Sequence, residues 1–448
     1  MLLASRGTMF LQRIKHSDSM KFRGIRSAGW TVVGYGSSQL IRLASNLILT
    51  RLLAPEMFGL MALAQVFITG TMMFSDIGIK TSIIRHKSTA DSDFLNTAWT
   101  IQIIRGVLIF LICLLLAYPI SLAYNEPDIF PVLATLGLSA LIQGFQTTAY
   151  ATAEKNLTIG KQTIIQISTQ IFAVSIMICW SYYHPSIWAL VFGSVLATLV
   201  NVTLNHIFLK SAHTHAIRIE TTHLKEIIRF GKWIFVSSLI GFFANQMDKL
   251  FLGKVLTMSE LGVYVIAFTL AQLSESISSN ISNKVMMPIY SKVQDESIEK
   301  VRSHTFKMRL ILGSSCLPIT LIFVVFGKEI INFLYDERYI NAGWMLEALA
   351  LGVAIRVATK VGPFLLSRGD SRTFTTLVAL KTVIVFSCML GGWHLFGVPG
   401  VIYGTVVAGI VNYFFEVAVY RRHNLWLWKL DLSFFTVIAL VFGLSRMI

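Results

Sequence analysis

Apolar runs of about twenty residues dominate this chain, and that length crosses the hydrocarbon core of a bilayer as a helix. Twelve can be read, over about 27–49, 58–79, 94–120, 130–151, 164–183, 186–209, 230–252, 260–283, 306–327, 343–366, 374–396 and 398–420. A thirteenth, Leu432 to Leu444, is short for a span. Lipid offers the backbone no hydrogen-bond partner, so only helices and closed barrels cross it. The expected fold class is therefore all-α: a polytopic membrane protein of about twelve transmembrane helices with a short thirteenth. Composition agrees, because 54% of the 448 residues are hydrophobic and 14% charged, against about 45–50% and about 25% in soluble domains.

The net charge of +15 invites a nucleic-acid partner, but the basic residues alternate along the chain instead of forming a patch. They crowd the tail before Ser27 (Arg6, Arg13, Lys15, Lys21, Arg23, Arg26) and the loops after the second, fourth and eighth spans. They also crowd the central loop (Lys210, Arg218, Lys225, Arg229) and the segment Arg421–Lys429. The intervening loops carry only Arg51, Lys254, Lys328 and Arg338. This is the positive-inside pattern, and it places the N-terminus, the central loop and Arg421–Lys429 in the cytoplasm. No cleavable signal peptide is expected in the polar, basic tail, and an alternative start at Met20 is open. Cys113, Cys179, Cys316 and Cys388 are scattered singly inside spans and suit neither a disulfide framework nor a metal site.

The two halves repeat each other. Leu49-Thr-Arg51-Leu-Leu-Ala-Pro-Glu-Met-Phe58-Gly59-Leu60 aligns with Leu252-Gly-Lys254-Val-Leu-Thr-Met-Ser-Glu-Leu261-Gly262-Val263. Gly193-Ser-Val-Leu-Ala197-Thr-Leu-Val-Asn201 aligns with Gly404-Thr-Val-Val-Ala408-Gly-Ile-Val-Asn412 at nearly the same offset. Related halves are the usual architecture of a secondary transporter, whose substrate site lies between them. The expected organisation is a basic tail (1–26), a six-helix lobe (27–209), a cytoplasmic loop (210–229), a second six-helix lobe (230–420) and a basic segment with a short apolar helix (421–448). The two pseudo-symmetric lobes would surround a central cavity.

Ionisable groups inside spans cost about 2.5–3.5 kcal/mol each at a helix centre and mark functional surfaces by default. The cations Arg42, Arg105, Lys249, Arg356, Lys360 and Lys381 are candidates for binding an anionic substrate in that cavity. Gln39, Asn245, Gln272 and Ser279 are candidate polar lining, and Asp76, Asp248 and Glu275 candidate ion-coupling acids. Arg356 and Lys360, at i and i+4 of the tenth span, would stack like charges on one face, which repel, so water or an anion is expected between them. Lys249, Asp76 and Lys381, near span ends, have snorkelling as the competing account. Other motifs are weaker: His213-Thr-His215 is read as a solvated loop, and Gly400-x-x-x-Gly404 as helix packing. There is no phosphate-cradling Gly loop followed by Lys-Ser/Thr.

Thr50-Arg-Leu-Leu-Ala-Pro-Glu-Met-Phe-Gly-Leu-Met-Ala-Leu-Ala64 with Phe74-Ser-Asp-Ile-Gly78 resembles the polysaccharide transporter family of Wzx-type oligosaccharide flippases. Asn245-Gln-Met-Asp-Lys-Leu-Phe-Leu-Gly253 with Glu260-Leu-Gly-Val-Tyr264 resembles it too. That family sits in the multidrug, oligosaccharide-lipid and polysaccharide exporter superfamily, and the colanic-acid/exopolysaccharide branch is the nearest in character. The resemblance runs from about Arg26 to Asn424. It implies a multi-pass protein of the bacterial inner membrane with a cytoplasmic N-terminus. Such a protein would be a flippase and no enzyme. It would move undecaprenyl-diphosphate-linked oligosaccharide to the periplasmic leaflet by alternating access for exopolysaccharide, O-antigen or capsule synthesis. No cofactor is implied beyond a proton or sodium gradient. The implied partners are the lipid-linked oligosaccharide, membrane lipids, a polysaccharide polymerase and a chain-length regulator, with no nucleic acid. Family members often run to fourteen spans, where twelve and a short thirteenth are read here.

The competing reading is an ion-coupled multidrug or metabolite exporter of the same fold, which would favour buried acids over cations. An enzyme would need a substantial catalytic loop, and the loop around Lys210–Lys232 is short and lacks paired carboxylates. A structural scaffold would not explain so many charges in spans. The loop asymmetry sets a test: in a background without the four cysteines, Asn125→Cys should react with an impermeant thiol reagent in intact cells, and Ser211→Cys only after permeabilisation. Equal reaction at both sites would overturn the topology.

Overall fold

The computed structural model describes residues 20–86, 91–209, 215–282, 286–293 and 296–445. Most of the basic tail and the start of the central loop, His213 included, lie outside the described residues. Among those described, every regular element is a helix. The chain divides into two compact units.

The first unit takes in the described residues up to Leu53 and Leu63–Leu239. It holds α1 (Met20–Leu52), most of α2 (Pro55–Phe74), α3 (Ile79–Arg85), α4 (Ser92–Tyr124), α5 (Ile129–Gly144), α6 (Ala149–Lys155), α7 (Gly160–Tyr183) and α8 (Ile187–Phe208). Helix α9 (Thr221–Val255) begins in this unit and ends in the second. The second unit comprises Ala54–Ala62 and the chain from Ile240. Its helices are α10 (Met258–Ile281), α11 (Met287–Val293), α12 (Ile298–Leu334), α13 (Ala342–Ala358), α14 (Gly362–Ser367), α15 (Ser371–Arg422) and α16 (Trp428–Ser445). Each half runs through the same order of two long helices, a short one, two long, a short one and two long, the last two in the second half being the arms of α15 either side of Gly397, with α16 added after them. Within each unit the short helices pack on each other, α3 on α6 and α11 on α14. The long pairs α4/α5 and α12/α13 also pack side by side.

Local chemistry sets the helix starts. Asp91 accepts the Phe94 amide at 3.1 Å at the head of α4, and Asp370 accepts that of Thr373 at 3.0 Å at the head of α15. Thr257 and Glu260 form a reciprocal capping box on α10, with Glu260 N to Thr257 Oγ1 at 3.2 Å and Thr257 N to Glu260 Oε2 at 3.0 Å. These caps satisfy amides that a helix leaves without internal partners.

Several expected boundaries move. The second run was read to residue 79, but α2 stops at Phe74. There Asp76 Oδ1 accepts the Gly78 amide at 2.8 Å and Gly78 takes φ of 66°, a turn that glycine makes without strain. The fourth run, 130–151, is two helices, α5 and α6, meeting at 64°. The tenth, 343–366, breaks between Ala358 and Gly362. Around the seventh run, α9 bends by 42° between its parts Thr221–Arg229 and Ile234–Val255. The eleventh and twelfth runs form α15, whose hydrogen-bonding pattern continues through Gly397 at φ 61°. A straight helix rises about 1.5 Å per residue, yet Lys381 reaches Glu416 across α15, so this helix folds back on itself at Gly397. The run Leu432–Leu444 extends to an 18-residue helix, α16. Among the described residues nine helical segments are long and apolar enough to cross a bilayer, or up to eleven counting the two bent pairs. Helix α1 is not among them, its sequence being diluted by Ser37, Ser38, Gln39, Arg42, Ser45 and Asn46.

The repeated motifs act through their glycines. A methyl group on Gly193 would collide with the Met177 side chain, and one on Gly404 with the Cys388 carbonyl oxygen. Met177 and Cys388 stand the same number of residues ahead of their glycines. The second motif thus lets α7 and α8 close on each other in the first unit, and the two arms of α15 in the second. The first motif pairs with its own repeat inside the second unit. Gly59, in the part of α2 that belongs there, faces the Met258 carbonyl, and Gly262 faces that of Pro55. Backbones approach this closely only where no Cβ intervenes. Gly59→Ala and Gly262→Ala should each lower the stability of the detergent-solubilised protein by about 1–3 kcal/mol, the range for overpacking. Gly391→Ala, where nothing lies within 4 Å of the added carbon, should leave it unchanged. Equal melting of all three variants would show that the close approach contributes nothing.

Candidate functional site: a carboxylate between two cations

Helix α10 carries one polar side chain after another through its second half. Ser274 and Ser278 are fully buried, and the buried Gln272 Oε1 has no partner among the described residues. Glu275 projects from this segment towards the break between α13 and α14. Its Oε1 lies 2.7 Å from Lys360 Nζ, and its Oε2 lies 3.8 Å from Arg356 Nε. Lys360 also donates to Ser279 Oγ at 2.9 Å, and its backbone carbonyl accepts the Tyr420 hydroxyl at 2.6 Å. The Arg356 side chain is 41% exposed, Lys360 17% and Glu275 23%.

Two expectations are corrected here. Arg356 and Lys360 do not share a helix face one turn apart, because α13 ends at Ala358 and Lys360 lies in the break. The anion between them is the protein's own, Glu275. The cluster has two cations to one carboxylate, so it keeps an unbalanced positive charge. It can therefore hold a second anionic group at the exposed Arg356 without separating Lys360 from Glu275.

The other expected residues are dispersed and mostly partnered. In the second unit Asp248 Oδ2 accepts the Tyr264 hydroxyl at 2.7 Å, and Lys249 donates to Gln246 at 3.2 Å with its ammonium 4.5 Å from the centre of the Phe268 ring. Asn245 donates to the Gly241 carbonyl at 2.7 Å and is exposed. Lys381 is bound to Glu416, so a buried acid accompanies it. In the first unit Arg105 donates to Ser75 Oγ at 3.1 Å and to the Met72 carbonyl at 2.6 Å, with Asp76 4.0 Å away. Gln39 donates to the Tyr35 hydroxyl at 2.9 Å. Arg42 is exposed on α1. His215 meets Thr147 Oγ1 at 3.1 Å.

Sequence reasoning missed a second ionic centre. Arg309 of α12 and Asp431 of α16 form a pair whose side chains are 2% and 3% exposed. Asp431 also accepts the Tyr413 hydroxyl and the Trp426 indole N–H, both at 3.0 Å. The pair fixes α16 to the second unit. Its signal in the sequence is Asp431, a lone acid immediately ahead of the apolar run Leu432–Leu444.

Residues 48–344 match the family described as "Polysaccharide biosynthesis protein". Lipopolysaccharide biosynthesis protein WzxC of Escherichia coli K12 is 22% identical over 420 residues, covering 92% of this chain and 85% of that protein. A putative O-antigen transporter of Shigella flexneri is 21% identical over 356 residues, covering 73% and 81%. Among solved structures, an inward-facing multidrug resistance transporter of the MATE family and MOP superfamily superposes with a TM-score of 0.64 at 15% identity, covering 86% of this chain and 95% of that one. The lipid II flippase MurJ, inward closed, gives 0.63 at 13% identity, covering 91% of each. The fold is thus that of MOP-superfamily transporters. With the family match spanning more than half its length, this multi-pass, all-helical membrane protein belongs to the family of polysaccharide biosynthesis proteins.

Proposed function

We propose that the chain is a flippase that carries undecaprenyl-diphosphate-linked oligosaccharide from the cytoplasmic to the periplasmic leaflet of a bacterial inner membrane. The observation that carries this reading is the two-to-one cluster of Arg356 and Lys360 on Glu275. Similarity to WzxC and to an O-antigen transporter, and a fold shared with a lipid II flippase, support it. A diphosphate needs cations shielded from lipid, and arginine's planar fork of donors matches phosphate oxygens. Arg42 is a further cation for that charge. In this mechanism the diphosphate enters at the exposed Arg356 while Lys360 stays paired with Glu275. Glu275 holds Lys360 in place when no substrate is bound, so the surplus charge stays at Arg356 for the diphosphate. A polymerase and a chain-length regulator would act on the delivered repeat units.

Export of a cationic drug is the second reading, favoured by the likeness to a multidrug transporter. The cationic surplus at Glu275 weighs against it. Complementation of a flippase-null strain separates the two, scored by surface polysaccharide and by the amount of protein in membranes. Arg356→Gln and Lys360→Gln should each cut polymer export about tenfold, as expected where about 1.4 kcal/mol of binding is lost, with normal membrane levels. Wild-type export by an Arg42→Ala, Arg356→Ala, Lys360→Ala triple variant would refute the cationic mechanism.

A further inference from the structure

The first unit encloses a cavity of about 460 Å³, walled by the end of α2, by α3, α4, α5 and α6, and by α8. That is within the range of about 300–1,000 Å³ typical of small-molecule sites. Its chemistry differs from that of the Glu275 cluster. Its two cations are each matched by an acid: Asp76 lies 4.0 Å from Arg105, and Glu154 lies 2.7 Å from Lys80. The cavity therefore has no surplus charge with which to hold a diphosphate.

It is rich in amides instead. Gln102 donates its Nε2 to the carbonyls of Gly144 and Gln146 at 3.1 and 2.9 Å, which holds open the break between α5 and α6. Gln146 donates to Asn201 Oδ1 at 3.4 Å. These bonds occupy one end of the Gln102 amide, while Gln146 is used at both ends because its Oε1 accepts the Thr147 amide at 3.2 Å. The buried Thr148 hydroxyl has no partner among the described residues, and the half-buried Gln102 Oε1 and the exposed Gln143 amide, both at the cavity wall, are left for a ligand. The rest of the wall is apolar, with Ile79, Ile83 and the Tyr150 ring. A fixed amide with a free oxygen (Gln102), an unengaged amide (Gln143) and an unused buried hydroxyl (Thr148) beside an aliphatic and aromatic wall match a sugar ring, which presents hydroxyls at its edge and C–H groups on its faces.

We propose that this cavity binds one sugar residue of the transported glycan, apart from the cationic cluster that takes the diphosphate. The proposal rests on the glycan-flippase reading and adds to it: the first unit reads the sugar, and the second reads the charge. Arg105 orders the site by tying α4 to the end of α2 through Ser75 and Met72. It is a positioning residue here, beside the amides that would meet the sugar.

The test is saturation-transfer NMR on the full-length protein purified in detergent. The probes are methyl glucoside, methyl galactoside and methyl glucuronide at millimolar concentration, with inorganic pyrophosphate as competitor. At least one glycoside should receive transfer that survives excess pyrophosphate. The transfer should fall about tenfold, the equivalent of about 1.4 kcal/mol, in Gln143→Leu, whose amide makes no bond that folding needs. Asn201→Ala is the second variant, checked for helix content. A Glu275→Gln, Lys360→Gln variant should bind the glycoside as well as wild type does. Absence of transfer from all three glycosides, unchanged transfer in both pocket variants, or displacement by pyrophosphate would each overturn the proposal. Binding of free glycoside needs no export. Intact export with no binding therefore sinks the pocket alone, and binding without export sinks the flippase reading alone.

Discussion

A charge carried into a bilayer needs a counter-charge or water, and this chain meets that need by pairing groups on helices far apart in sequence. Arg105 leans on Asp76, Lys381 on Glu416, Arg309 on Asp431, and Arg356 with Lys360 on Glu275. Arg309–Asp431 fixes α12 against α16, and Lys381–Glu416 fixes the two arms of α15 on each other. Breaking the fully buried Arg309–Asp431 pair is costly, about 3–5 kcal/mol, because the remaining partner stays uncompensated. The pairs therefore hold helices together, and the clusters where the count is uneven stand out as places where a substrate can enter the balance.

Glu275 is the clearest such place. Lys381–Glu416 and Arg309–Asp431 are one-to-one, and Asp431 is further satisfied by Tyr413 and Trp426. A saturated acid of that kind serves architecture. At Glu275 two cations share one carboxylate, and one of those cations is substantially exposed. The amide-lined cavity of the first unit presents the opposite case, with charges balanced and hydrogen-bonding groups left over. A ligand with an anionic head and a hydroxyl-rich body would find its two chemistries in two different places.

The internal duplication explains how such a large helical fold is specified economically. Both halves follow one order of long and short helices, and the Gly193 and Gly404 motifs perform the same packing task in each. The Gly59 and Gly262 copies do something else, since they meet each other. A duplicated sequence has thus produced two equivalent contacts and one contact made by the two copies together.

The sequence alone determined the all-helical, multi-pass class, because apolar runs of that length leave the backbone no other way to satisfy its hydrogen bonds in lipid. It also revealed the duplication and the resemblance to oligosaccharide flippases, which rest on residue order and need no coordinates. It located charged residues but not their partners. Spacing put Arg356 and Lys360 on one helix face and called for an anion between them, but could not show that the helix ends at Ala358 or that Glu275, on another helix, supplies that anion. Likewise Gln102, Gln143, Gln146 and Asn201 are scattered across three spans, and only helix packing gathers them around one cavity. Periodicity reports what one helix presents on each face. Which faces meet, and where a helix breaks so that a side chain can reach across, is decided by long-range packing, and that information exists only in the folded chain.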